Sequence, residues 1–261
     1  MSWRVVAERD ARDPFRSMSA LTLFGAYAIL FALAGYLQSG GSSGVAGGLP
    51  TLVQFIVPLT ALGVSYGAIA GARDDGSLRV MLSYPHSRFD VALGTALGRA
   101  IVTCAAITTG YVVSLVVFVA AGGSGVSVTT FVGGWLLSCL LGVAFVGIGV
   151  GASATARTAR RAVGLAASAF LLFLIAWNAI PTLVRYVAAG FQFSLGPTPT
   201  WARVFNACSP LEAYSTADGA LAASAASGPF YTTRWFAVVV LVAWAVIPLA
   251  LGYLRFERAD L

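Results

Sequence analysis

Apolar positions in this chain run in long unbroken blocks, not in the one-faced or alternating patterns of soluble elements. Six blocks stand out, at about 18–37, 50–71, 98–121, 128–152, 163–181 and 233–254. Each is about 20 residues, long enough as a helix to cross a hydrocarbon core of roughly 30 Å. The first, "MSALTLFGAYAILFALAGYL", has no charge, and the second, "PTLVQFIVPLTALGVSYGAIAG", carries Pro58 and with it the prospect of a kink that neighbouring helices can accommodate. The third and fourth read as a hairpin joined by "GGSGVSV". The fifth, "VGLAASAFLLFLIAWNAIP", and the sixth, "TRWFAVVVLVAWAVIPLALGYL", flank an outer loop at 182–232. An open sheet would leave backbone groups unpaired in lipid, so all six are expected as helices. The predicted fold is all-α: a six-helix transmembrane domain over 18–254.

The polar residues collect between and outside these blocks, and they set the expected orientation. Charged residues make up 10% of the 261 residues and apolar ones 58%, where a soluble domain is about 25% charged. The chain has no lysine. Arg4, Arg9, Arg12, Arg16, Arg73, Arg79, Arg88, Arg99, Arg157, Arg160, Arg161, Arg255 and Arg258 fall to one side of the six-span arrangement, and only Arg185, Arg203 and Arg234 to the other. Positive charge marks cytoplasmic loops. Both termini, including the tail 255–261, and the 72–88 loop are therefore expected in the cytoplasm of a multi-pass plasma-membrane protein. The net charge of +6 is a matter of topology and gives no support to nucleic-acid binding. Residues 1–17, with Trp3, Val5, Val6 and Phe15 among arginines and aspartates, suggest an amphipathic helix lying on the membrane, a solvated tail being the alternative. The mixed charge and long apolar run do not fit a cleaved signal peptide.

Candidate chemistry narrows the function classes. A phosphate-binding ATPase loop needs a lysine. Intramembrane serine proteolysis needs a base at membrane depth, but the single histidine, His86, lies in the 72–88 loop. The six blocks hold no carboxylate, and neither the three cysteines nor the three methionines show metal-ligand spacing. No catalytic or metal-binding residue is assigned, and Cys104, Cys139 and Cys208 read as small packing residues. Secondary transport usually places ionisable groups near the bilayer midplane, and the blocks supply none there, with Arg99 only at a cytoplasmic end. An energy source in another polypeptide is the better expectation.

Against that background the segment "ARDDGSLRVMLSYPHSR", residues 72–88, is conspicuous. Asp74 and Asp75 before Gly76 and Ser77 suit a helix start, and Asp75 and Arg79 stand four apart. Leu78, Met81 and Leu82 form an apolar stripe, and Pro85 stops the helix. One reading is a capped turn packed on its own spans; the other is a short amphipathic docking helix.

With the following "FDVALGTALGRA", this segment resembles the signature of type-2 ATP-binding-cassette (ABC) exporter permeases. Asp74, Asp75, Gly76, Ser77 and Leu78 match its acidic pair and Gly-Ser/Thr-Leu. Leu82, Ser83, Pro85, Ser87 and Arg88 match its apolar helix and Ser-x-Pro-x-Ser-Arg, and Gly94 and Gly98 its Gly-rich approach to the third span. Thr95 stands where the family often has a basic residue, and aspartates replace the commoner glutamate. "SATARTARRAVG", "NACSPLEAY" and "LRFERADL" extend the resemblance along the chain. It implies that 72–88 is a coupling helix seated on a separate ABC ATP-binding subunit, with Leu78, Met81 and Leu82 as anchors, Asp74, Asp75, Arg79 and Arg88 setting register, and Gly76 and Pro85 in the same docking segment. It further implies no cofactor in this chain, ATP and Mg on the partner, and a second permease chain, identical or related, in the same bilayer. A motor-free channel or scaffold is the alternative from a different class.

Three landmarks remain. Arg157, Arg160 and Arg161 suit a second contact with the ATPase or anionic lipid headgroups. Trp177 and Asn178 could face a pathway, or serve as an interfacial anchor and a helix–helix hydrogen bond. Gly147 and Gly151 have GxxxG spacing, which fits close packing within one chain or between two.

Overall fold

The computed structural model describes residues 3–16, 18–40, 47–78, 87–192, 196–222 and 228–258. It is 85% helical with no strand among the described residues. Six helical segments are long and apolar enough to span a membrane: Leu21–Ser39, Leu49–Asp74, Arg88–Ala120, Val128–Thr155, Ala159–Ala188 and Arg234–Glu257. The elements in chain order are α1 (Trp3–Arg16), α2 (Met18–Ser39), α3 (Leu49–Ser65), α4 (Ala70–Asp74), α5 (Arg88–Ala120) and α6 (Val128–Thr155). Then come α7 (Ala159–Leu171), a π-helical turn (Leu172–Ala176), α8 (Trp177–Ala188), α9 (Thr200–Ala207), α10 (Pro210–Ala222) and α11 (Arg234–Glu257).

The third span begins earlier than its apolar block. Ser87 caps α5 by accepting from the Asp90 N–H at 3.0 Å while Asp90 Oδ2 accepts from the Ser87 N–H at 3.1 Å. This reciprocal box satisfies donors that the first turn cannot pair internally. Hydropathy registers apolar side chains, whereas the cap starts the helix ten residues before position 98. Along α3, Pro58 is buried and the helix continues through it.

The fourth span is the hub, with 56% of its apolar window buried; the fifth buries 11%. α11 packs along α6, and a Cβ on Gly147 or Gly151 would run into the carbonyl oxygens of Ala245 and Pro248. The GxxxG spacing therefore serves a contact within the chain, where backbones approach closely. Tyr27, Phe31, Leu141, Phe145 and Leu241 are fully buried in the core of the bundle. Outward-facing Leu21, Ile29, Val112, Val116, Ile175 and Val246 are exposed, as side chains facing lipid would be.

Two further elements attach to the bundle. The N-terminal helix α1 lies on the start of α5, where a Cβ on Gly98 would stand 2.7 Å from Asp10 Cβ and 3.0 Å from the Ala7 carbonyl oxygen. Val6 and Ala7 are buried there, while Arg4, Val5, Glu8 and Arg9 face outward. Within the outer loop, α10 packs against α11 and α6, and Tyr214 is completely buried.

Candidate docking site

The arginine-rich segments meet at one end of the bundle. The turn after α3 is anchored by buried Ser153, whose Oγ accepts from the N–H groups of Ile69 and Ala70 at 3.0 Å each. Arg73 Nη1 then donates to the Ala156 carbonyl at 2.8 Å, and Asp74 Oδ2 accepts from the Ala159 N–H at 2.7 Å. Asp74 thus sits at the N-terminus of α7, where orphan N–H groups and the helix dipole favour an anion. Thr158 caps the same helix through its Oγ1.

Asp75 supports the next turn. Its Oδ1 accepts from the Ser77 N–H at 2.9 Å. The hydrogen bonds from Ser77, side chain and then backbone, hold its carboxyl below the usual range. Gly76 between them has φ +77°, a left-handed conformation that side chains with a Cβ disfavour. Leu78, expected as an anchor for a partner, is only 1% exposed and packs into the chain's own core. Leu78 lines one cavity together with Val6 of α1 and Val91 of α5. Arg79, Met81, Leu82 and Pro85 lie outside the described residues.

Arg88, at the far side of the signature, turns back on the bundle as well. Its Nη1 donates to the carbonyls of Phe256 at 2.7 Å and Glu257 at 2.8 Å, at the C-terminal end of α11. Arg99 pairs with Asp10 of α1 at 2.8 Å. A cavity of about 240 Å³ lies between α1, α4 and α5, lined by polar Arg9, Asp10, Asp75, Ser77 and Arg99 and by apolar residues including Val6 and Leu78. Arg157, Arg160 and Arg161 are exposed beside Asp74. The structure therefore brings 73–78, 87–88 and 156–161 into one surface, although they are distant in sequence.

At the opposite end, Trp177 is packed. Its ring stacks on Phe205 at 4.8 Å and its Nε1 donates to the Phe205 carbonyl at 3.0 Å, joining the fifth span to α9. Trp244 Nε1 similarly donates to the Cys208 carbonyl at 2.8 Å. Asn178 is exposed, and its carbonyl accepts from Thr182 Oγ1 at 3.4 Å. The apolar-block reading missed a carboxylate here. Asp218 of α10 reaches inward, its Oδ1 within 3.3 Å of where a Gly134 Cβ would stand, next to the Tyr111 hydroxyl. The Tyr111, Ser138 and Tyr214 hydroxyls are linked at 2.8 and 3.2 Å. Burial pushes the Asp218 carboxyl above its ordinary range. The sequence signal was Tyr214 and Asp218 four apart, on one face of a helix inside the loop.

Comparison with known proteins identifies the family of the chain. The family described as "ABC-2 family transporter protein" matches residues 4–261. The "Probable ABC transporter permease protein NosY" of Stutzerimonas stutzeri is 26% identical over 272 residues, covering 97% of each chain. The protein of the same designation from Pseudomonas aeruginosa is 26% identical over 276 residues, again covering 97% of each. With six apolar helices and a family match over nearly its whole length, the chain is a multi-pass plasma-membrane protein and belongs to the ABC-2 transporter family.

Proposed function

We propose that this chain is the transmembrane permease subunit of an ABC exporter, coupled to ATP hydrolysis in a separate subunit. ATP and Mg would be held by that partner, and two permease chains would enclose the pathway. The arginine-rich end faces the cytoplasm, and the 72–88 connection together with Arg157, Arg160 and Arg161 receives the ATPase. The observation that carries this reading is the convergence of 73–78 and 156–161 on one exposed surface, in a chain of a transporter family with no phosphate-loop lysine of its own. Seated elements would follow closure of the ATPase subunits and switch access between the membrane faces. The residues available for the contact are fewer than the signature implied, since Leu78 is internal and Asp74 and Arg88 are engaged within the chain. Sequence leaves Met81 and Leu82 as the apolar anchors.

The test is to tag the chain, extract it from its native membrane in mild detergent, and identify what accompanies it. Leu82→Asp and the pair Arg160→Glu/Arg161→Glu serve as comparisons. Recovery of a phosphate-loop ATPase with the parent, lost with Leu82→Asp and reduced with the arginine pair, supports the reading. A parent chain recovered alone favours a motor-free channel or scaffold, and an ATPase retained by all variants overturns the assignment of the docking residues.

A further inference from the structure

The C-terminal end of the last span is held by two arginines. Phe256 is fully buried, and the guanidinium carbons of Arg73 and Arg88 each lie 5.6 Å from its ring centroid. These arginines stand at the two ends of the connection between the second and third spans. Cations over an aromatic ring are attracted by its negative face, and more strongly when shielded from water. Arg88 adds hydrogen bonds to the Phe256 and Glu257 carbonyls, which are orphan acceptors at the negative end of the helix dipole. Arg73 ties the same clasp to Ala156, at the end of α6. One turn back along α11, Tyr253 meets Phe89 edge to face at 5.5 Å.

We infer that Phe256 is a positioning residue that transmits movement of the connection between spans two and three to the last span. The geometry supports transmission over simple anchorage. A single arginine on the α11 carbonyls would be enough to cap the helix. Two guanidiniums repel, and here both stay within cation–π reach of one buried ring. The grip includes both the entry and the exit of the connection, so a displacement of either end is felt at Phe256. The neighbouring Phe89–Tyr253 contact fixes the rotation of α11 as well as its position along the axis. This inference rests on the proposed coupling to an ATPase.

The test uses the permease–ATPase complex with Cys104, Cys139 and Cys208 replaced by alanine. An environment-sensitive fluorophore is placed on Val246→Cys in the sixth span or, separately, on Ile175→Cys in the fifth; both parent side chains are exposed. Phe256→Leu keeps apolar bulk and removes the ring, while Phe256→Tyr keeps the ring. In the parent, both reporters are expected to respond to a non-hydrolysable ATP analogue. In Phe256→Leu, the sixth-span response is expected to fall about tenfold, the scale of a desolvated cation–π contact. The fifth-span response and ATPase recovery should persist, and Phe256→Tyr should restore the parent behaviour. A parent-like sixth-span response in Phe256→Leu overturns the inference, as does a parent sixth span that never responds while the fifth does. If Phe256→Leu does not assemble, Phe256→Met makes the same comparison, again with apolar bulk and no ring. Failure of any ATPase to accompany the parent removes the underlying reading and this inference with it.

Discussion

Asp218 shows most directly how a residue's meaning changes on folding. In sequence it is one polar position in a loop; in the structure α10 carries it against the fourth span at Gly134, near the Tyr111 hydroxyl. Burial disfavours its charged form and raises its pKa. The folded state then holds the proton more tightly than the unfolded chain. The corresponding stability is fully present below the ordinary aspartate value and is lost as pH rises through the higher folded value. Asp218→Asn removes the titration. Thermal unfolding in detergent should show a flatter pH dependence between acid and neutral conditions, with a higher midpoint near neutrality. An unchanged pH slope in the variant would count against this account. Asp74 makes the complementary point: a carboxylate in a signature expected to meet a partner closes the N-terminus of α7 within its own chain.

At the scale of elements, α1 is held to the third span by the absence of side chains. Gly94 and Gly98, which the sequence marks as a Gly-rich approach, let the two helix backbones meet, and Asp10 and Arg99 close the contact at 2.8 Å. The third span reaches into this contact because its capping box starts it at Arg88. Gly98→Val should force α1 away and cost about 1–3 kcal/mol, the range for overpacking a tight contact. The expected readout is a lower thermal midpoint together with faster proteolytic release of the N-terminal segment. Parent-like protection would mean that α1 is held elsewhere. The fifth span has a different character: its π-helical turn at Leu172–Ala176 precedes Pro181, and its two flanking helices have separate partners. α7 packs on α3 and α6, whereas α8 packs on α9.

For the whole molecule, the arrangement of arginines becomes a statement about sides. The described contacts Arg73–Ala156, Asp74–Ala159, Arg88–Phe256 and Arg99–Asp10 draw the basic segments to one end. Arg185, Arg203 and Arg234 lie with the outer-loop helices and bond to loop carbonyls. Under the proposed reading, the positive-inside rule puts the first end in the cytoplasm. In a cysteine-free background, Ser127→Cys should react with a membrane-impermeant thiol reagent on intact cells. Arg160→Cys should react only after permeabilisation. The reverse pattern would invert the topology and remove the docking surface from the ATP-containing compartment.

The six spans, their helical class and the asymmetry of charge were legible in the sequence because transfer into lipid is close to a sum over neighbouring residues. A run of apolar side chains carries that sum wherever the run lies. The signature of the family was legible for the same local reason: Asp74, Asp75, Gly76 and the motif that follows are contiguous. Partner choice was not legible. That Arg88 would cap α11, that Gly147 and Gly151 would receive the backbone of α11, and that Leu78 would turn inward depend on positions far apart in sequence. Hydrogen bonds and close packing act over a few ångströms. Only the tertiary structure decides which distant groups come within that range, so it alone decided which signature residues are engaged within the chain.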